Sequence, residues 1–312
     1  MIKLDERFKV VFAGITGSHL YGTALPESDE DVRGVFIPTE EFYLGFLEKV
    51  EQVESHEPDV TYWEISKFFK LCLDNNPNIL ELLFIPEHKY LTYTPTWGRI
   101  LDNRSAFLST KAKHTFSGYA VSQLHRIKQH RDWLLNPPKK KPERLDFGLP
   151  ETNVVTKDHL NAFDELKSKD TPLLLSDSLL EALQKEKAYI NALRYWTQYQ
   201  EWKKSRNPAR AELEAAYGYD TKHASHLVRL LREGQELLET GFITFPRPDA
   251  FDLLSIRMGS YTYDELMEKV GGDSNESIDA FLTVEESVLP HNPDRKAADQ
   301  LCRELIKERI WQ

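Results

Sequence analysis

Cysteine is scarce in this sequence: Cys72 and Cys302 are the only two in 312 residues. They stand far apart and match no metal-ligand spacing, which excludes a disulfide scaffold and a cysteine-ligated zinc cluster. Cys72 falls in an apolar helical stretch and reads as an inert buried thiol. No apolar run approaches the ~20 residues of a helical membrane span, so a soluble chain with no membrane partner is expected. The polar Met1–Lys9 lead-in has no secretory pattern, and with the isolated thiols it points to a cytoplasmic protein. Positive charge is in deficit too. Forty Lys and Arg against fifty Asp and Glu leave a net charge of −10, so a nucleic-acid partner would have to meet a local basic patch. Internal repeats are absent, and the length suggests two domains.

What is present centres on residues 17–34, Gly-Ser-His-Leu-Tyr-Gly-Thr-Ala-Leu-Pro-Glu-Ser-Asp-Glu-Asp-Val-Arg-Gly. The apolar run Val10–Gly14 before it reads as a buried strand, and Val35–Ile37 after it as a second. Between them the pattern predicts a short helical segment and a turn over Pro26–Ser28. Asp29 and Asp31 sit at period two, so a strand would send both carboxylates to one face. Carboxylates so placed repel unless a cation lies between them, and an oxygen-only ligand set suits Mg²⁺ or Mn²⁺ better than zinc. Gly17 lets backbone approach a ligand closely, and free amides at a helix start attract anions; Ser18 adds a hydroxyl. A phosphate beside a metal describes a nucleoside triphosphate held by its phosphates.

Farther along, the alternation of Lys49–Ser55 predicts a third strand. Thr61 and Glu64 have capping-box spacing, which predicts a helix with Tyr62, Ile65, Phe69 and Cys72 in its stripe. Glu81 lies among leucines and needs a hydrogen-bonded or cationic partner. Residues 111–128 read as a helix with a basic face, residues 137–170 as an irregular insertion, and Leu173–Trp202 as another helix. Leu253–Gly259 reads as strand-like. From Thr221 to about Leu238 the periodicity is helical, capped by Asp220 or Thr221. Ala224, Leu227, Val228 and Leu231 form its apolar stripe; Lys222, His226 and Arg229 fall on the opposite side, a face that suits polyphosphate oxygens or plain solvation.

The spacing of Gly17-Ser18, about ten residues, then Asp29-x-Asp31 resembles the nucleotidyltransferase superfamily of the DNA polymerase β type. The fuller string, with Tyr21-Gly22-Thr23 and Arg33-Gly34, looks most like the RNA-repair-pathway polymerase-β-like family, and two later strings match it: Asn76-Pro77-Asn78…Glu81 and Tyr219-Asp220-x-Lys222-x-x-x-His226-x-x-Arg229. The resemblance implies an α+β chain, with a small mixed-sheet catalytic domain over residues 1–108 and a mainly helical domain over 109–312. The active site is then expected in the cleft between them. It implies transfer of a nucleoside monophosphate from an NTP to a hydroxyl, with pyrophosphate released. Asp29 and Asp31 would bind the metals, and Asp59 the one on the nucleophile side, with Glu57 or Glu64 as substitutes. Gly17, Ser18, Lys222, His226 and Arg229 would hold the nucleotide. An RNA 3′ end, a protein side chain and a small molecule stay open as acceptors. A non-catalytic nucleotide-binding module and a metal-dependent phosphodiesterase are the rival readings.

Overall fold

The computed structural model describes residues 4–153, 155–168, 176–206, 208–283 and 286–311. Five strands, β1 (Lys9–Thr16), β2 (Asp31–Ile37), β3 (Gln52–His56), β4 (Asp59–Glu64) and β5 (Tyr90–Tyr93), form one mixed sheet. Their order is β3-β4-β2-β1-β5. β2 and β4 run parallel, in the register Val32↔Val60, so Asp31 and Asp59 open their two strands side by side. The remaining pairs are antiparallel. With its helices, the chain is α+β, as the sequence implies.

One sheet face buries Val11, Phe12, Val35 and Ile37 in the main core, where Phe12 stacks on Trp97 at 4.0 Å between ring centres. The opposite face carries a smaller cluster of Ala13, Val32, Phe36, Val60 and Tyr62. The Ile65–Leu73 helix buries Ile65, Phe68, Phe69 and Cys72, the stripe expected of it. Tyr62 is not in that helix, because Asp59–Glu64 is a strand. Val60, Tyr62 and Glu64 alternate with more exposed residues, and the sheet pairing on both sides overrides the Thr61–Glu64 capping-box spacing. Glu64 instead caps the helix that follows, accepting from the Lys67 amide. Tyr43 and Ser66 hydroxyls also donate to it, so it is a structural carboxylate.

The chain divides into two compact units, Met1–Lys128 with Tyr219–Gln312, and Gln129–Gly218. The sheet and the Thr221–Thr240 helix thus share one unit, rather than falling on either side of a boundary at residue 108. Asp220 caps that helix by accepting from the His223 amide, as expected. Ala250–Arg257 is helical where the sequence read as strand-like, with Leu253 and Ile256 buried three apart. In the other unit, Trp133 is buried with Tyr195, Tyr199 and Trp202 around it. Arg144 there holds Glu186 through two bonds of 2.7 and 2.8 Å. The stretch expected to be irregular becomes helical at Lys157–Ser168. A helix runs over Asp177–Ser205, while residues 173–175, where it was expected to begin, lie outside the described residues.

Candidate active site

Backbone geometry explains the first contact of the site. β1 ends at Thr16 because Gly17 takes φ +63° and turns the chain into the Gly17–Tyr21 helix. That conformation is strained for any residue with a Cβ. Space demands glycine as well: a Cβ at Gly17 would lie 1.9 Å from Asp31 Oδ2. The Asp31 carboxylate therefore rests directly on the Gly17 backbone. Thr16 and Asp31 are the last pair between β1 and β2, and Thr16 Oγ1 donates to the Asp31 carbonyl at 3.1 Å.

On its other side Asp31 meets Asp59. Burial, then a hydrogen bond with Asp59 and that residue's charge, raise the Asp31 carboxyl above the usual range, against the pull of Arg33 and Lys222. Burial would raise Asp59 too, but hydrogen bonding and charge from Arg33 hold it below the usual range. Arg33 Nη1 lies 2.9 Å from Asp59 Oδ1. Two adjacent carboxylates, one raised above and one held below the usual range, form a donor set suited to a hard cation.

Asp31 and Arg33 line a cavity of about 450 Å³. Thr16, Gly17 and Ser18 make one wall, and Lys222, Ser225 and His226 come from the Thr221–Thr240 helix. Lys222 is exposed and acts on the Asp31 charge. His226 is half-buried; burial, then the Arg229 charge, push its pKa well below the ordinary value, so the ring is neutral at pH 7.

Arg229 reaches the same cavity from beneath. Its side chain is 2% exposed, and Nη1 bonds Glu81 at 2.5 Å and Glu233 at 2.6 Å. Its guanidinium also stacks 4.0 Å over the Tyr21 ring, whose hydroxyl donates to Glu81 at 2.7 Å. The cationic partner that Glu81 needs is thus Arg229. The network ties the Gly17–Tyr21 helix, the Glu81 turn and the Thr221–Thr240 helix together at one point.

Gly17, Ser18, Asp31, Lys222, His226 and Arg229 are therefore gathered around one cavity, with Asp59 touching it through Asp31. Asp29 stands apart. It is exposed in the segment before β2, where β1 has already ended and offers no partner, so the two aspartates do not share a strand face. Glu57 is exposed in the β3–β4 turn. Arg33 and Tyr21 lie within the motif string, but neither received a role from the sequence. The period-two step from Asp31 to Arg33 was a readable signal that both face the same side.

Residues 1–141 match the model of the RNA repair pathway DNA polymerase beta family. The matched stretch contains Gly17, Ser18, Asp29, Asp31 and Asp59, while the Lys222–Arg229 string lies beyond it. The chain is also similar to a protein of Enterobacteria phage T4, named as an uncharacterized 38.9 kDa protein in the nrdC-mobD intergenic region. The two are 26% identical over 297 residues, which is 83% of this chain and 86% of that one. A second relative, uncharacterized protein YcgL of Bacillus subtilis (strain 168), is 34% identical over 80 residues, 24% of this chain and 30% of that protein. No solved structure matches.

Proposed function

We propose that this chain, whose residues 1–141 carry the polymerase-β-type motif, transfers a nucleoside monophosphate from an NTP to a hydroxyl, releasing pyrophosphate, with an RNA 3′ end as acceptor. One observation carries the reading: Asp31 is seated between the Gly17 backbone and Asp59 in a cavity faced by Lys222. In the reaction, the acceptor oxygen forms a bond to the α-phosphorus and sheds its proton to water, as the bond from that phosphorus to the bridging oxygen of the β-phosphate breaks. Ser18 and the Gly17 backbone hold the β and γ phosphates. Lys222 offers an ammonium to the charge that grows on the departing pyrophosphate. His226, neutral, serves as a hydrogen-bonding wall. Arg229 acts as a positioning residue, since two carboxylates already hold its Nη1.

Polymerase-β-type nucleotidyltransferases generally use divalent metals, and Mg²⁺ or Mn²⁺ fits the Asp31–Asp59 pair, with Asp29 as a further oxygen donor. Such a cation neutralises the carboxylates and polarises the phosphoryl oxygens. Asp59, kept ionised by Arg33, presents its carboxylate on the side from which the hydroxyl arrives. The test is pyrophosphate release from each of the four NTPs with Mg²⁺ and a 3′-hydroxyl RNA. Release that depends on the RNA supports the reading. Binding of NTP without release would favour the non-catalytic module, and cleavage of the RNA without NTP the phosphodiesterase.

A further inference from the structure

The cavity continues past the carboxylates. Along β4, Asp59, Thr61 and Trp63 are partly exposed while Val60, Tyr62 and Glu64 are buried. The β3–β4 register sets Glu54 opposite Thr61 and Gln52 opposite Trp63. Gln52, Glu54, Thr61 and Trp63 all line the cavity. At a strand rise of about 3.3 Å per residue, Trp63 lies roughly 13 Å beyond Asp59. β3 is an edge strand, and Gln52 and Glu54 are exposed, so the cavity opens to solvent on this side.

In phosphoryl transfer the attacking and leaving oxygens stand roughly in line across the phosphorus. In the strand order β4-β2-β1, Asp31 opens the middle strand, with Gly17 at the end of β1 on one side and Asp59 at the start of β4 on the other. With the leaving pyrophosphate at Gly17 and Ser18, the attacking hydroxyl enters from the Asp59 side, over β4 and β3. The cations near that entrance are engaged: Arg33 with Asp59, and Lys67 with Glu51 and Gln52. Glu54 repels phosphate there. An acceptor is thus recognised at this end by a planar group rather than by its backbone charge. Lys67 Nζ donates to Gln52 Oε1 at 3.0 Å, which orients the amide so that Nε2 donates to Glu54 Oε2 at 2.9 Å. The Glu54 carboxylate keeps further lone pairs for a donor.

Resting on the nucleotidyl-transfer reading, we propose that the Trp63–Glu54 end of the cavity is an acceptor subsite for the 3′-terminal nucleoside of an RNA strand, with the base stacked on Trp63 and an exocyclic amino group donating to Glu54. Adenine, cytosine and guanine carry such a group and uracil does not, so the subsite discriminates against a terminal uridine.

The experiment is fluorescence anisotropy with 5′-labelled RNA tetranucleotides ending in A, C, G or U, titrated with the full-length protein in Mg²⁺, alongside NTP titrations. Trp63→Ala should weaken oligonucleotide binding at least about fivefold, the lower end of base stacking on an aromatic ring, with NTP affinity unchanged. Trp63→Phe should stay within about twofold, which separates stacking from misfolding. Glu54→Gln should weaken the A, C and G ends about tenfold and leave the U end alone. Equal wild-type affinity for all four ends would overturn the proposal. So would unchanged oligonucleotide binding in Trp63→Ala, or a loss confined to NTP, which would hand Trp63 to the incoming nucleotide. A wild-type protein that releases no pyrophosphate from any NTP refutes the transfer reading instead, and the anisotropy result is readable without it.

Discussion

Arg229 offers the sharpest test of how this site is built. Replacing it with Met removes the guanidinium and keeps most of the volume. Glu81 then loses its cation in a dry interior, and Glu233, as deeply buried, keeps only Arg247 at 3.9 Å. Breaking a buried ion pair from one side costs about 3–5 kcal/mol, and the lost stacking on Tyr21 adds to that. Urea unfolding should therefore show Arg229→Met less stable by at least about 3 kcal/mol. Adding Glu81→Gln and Glu233→Gln should return much of the loss, because amides tolerate burial where unpaired carboxylates do not. A phosphate-contacting arginine on a solvated face behaves otherwise. Its removal changes stability by less than about 0.5 kcal/mol and weakens NTP binding by about 1.5–3 kcal/mol. Unchanged stability in Arg229→Met, with NTP affinity lost, would refute the positioning role.

Other outcomes follow from the same geometry. Asp31→Asn should abolish pyrophosphate release while thermal unfolding stays level or rises, because repulsion from Asp59 is relieved; an active variant would remove Asp31 from the chemistry. Gly17→Ala should cost at least about 1 kcal/mol from the left-handed backbone alone, and more from the collision with Asp31, as read by urea unfolding. Burial, then the balance of Arg229, Glu81 and Arg247, leaves Glu233 pushed up to about 8. An acid raised in the fold keeps a proton that the unfolded chain sheds above about pH 4.3. Wild-type stability should thus fall as pH rises from about 5 to 8. Glu233→Gln should flatten that slope, and a slope unchanged in the variant would show that Glu233 titrates elsewhere.

Local pattern carried the sequence reading far where the structure is local. The strand–Gly17-Ser18–strand unit and the Asp220-capped helix are set by contiguous residues, so both could be read. β4 could not, because its six residues carry a helix-start spacing and a strand alternation at once, and only β2 and β3 decide between them. The strand expected to carry Asp29 begins only at Asp31, because its partner β1 ends at Thr16, where Gly17 turns the chain. For Arg229, periodicity found the helix but could not say what covers its flank. Glu81 is 148 residues earlier in the chain, and its own need for a cation was legible without the partner's identity.

That separation also orders the making of the molecule. As the chain leaves the ribosome, the motif and the whole sheet emerge long before the Thr221–Thr240 helix. Until that helix docks, Glu81 and the Tyr21 hydroxyl lack their guanidinium, and the five-residue Gly17–Tyr21 helix has no anchor at its base. Long-range closures of this kind come late in folding, after local structure has formed. A nascent or truncated chain holding only the motif-bearing residues would therefore carry the carboxylates without the strut that positions the Gly17–Tyr21 helix beside them. The architecture thus delays competence until the chain has been made through the Thr221–Thr240 helix.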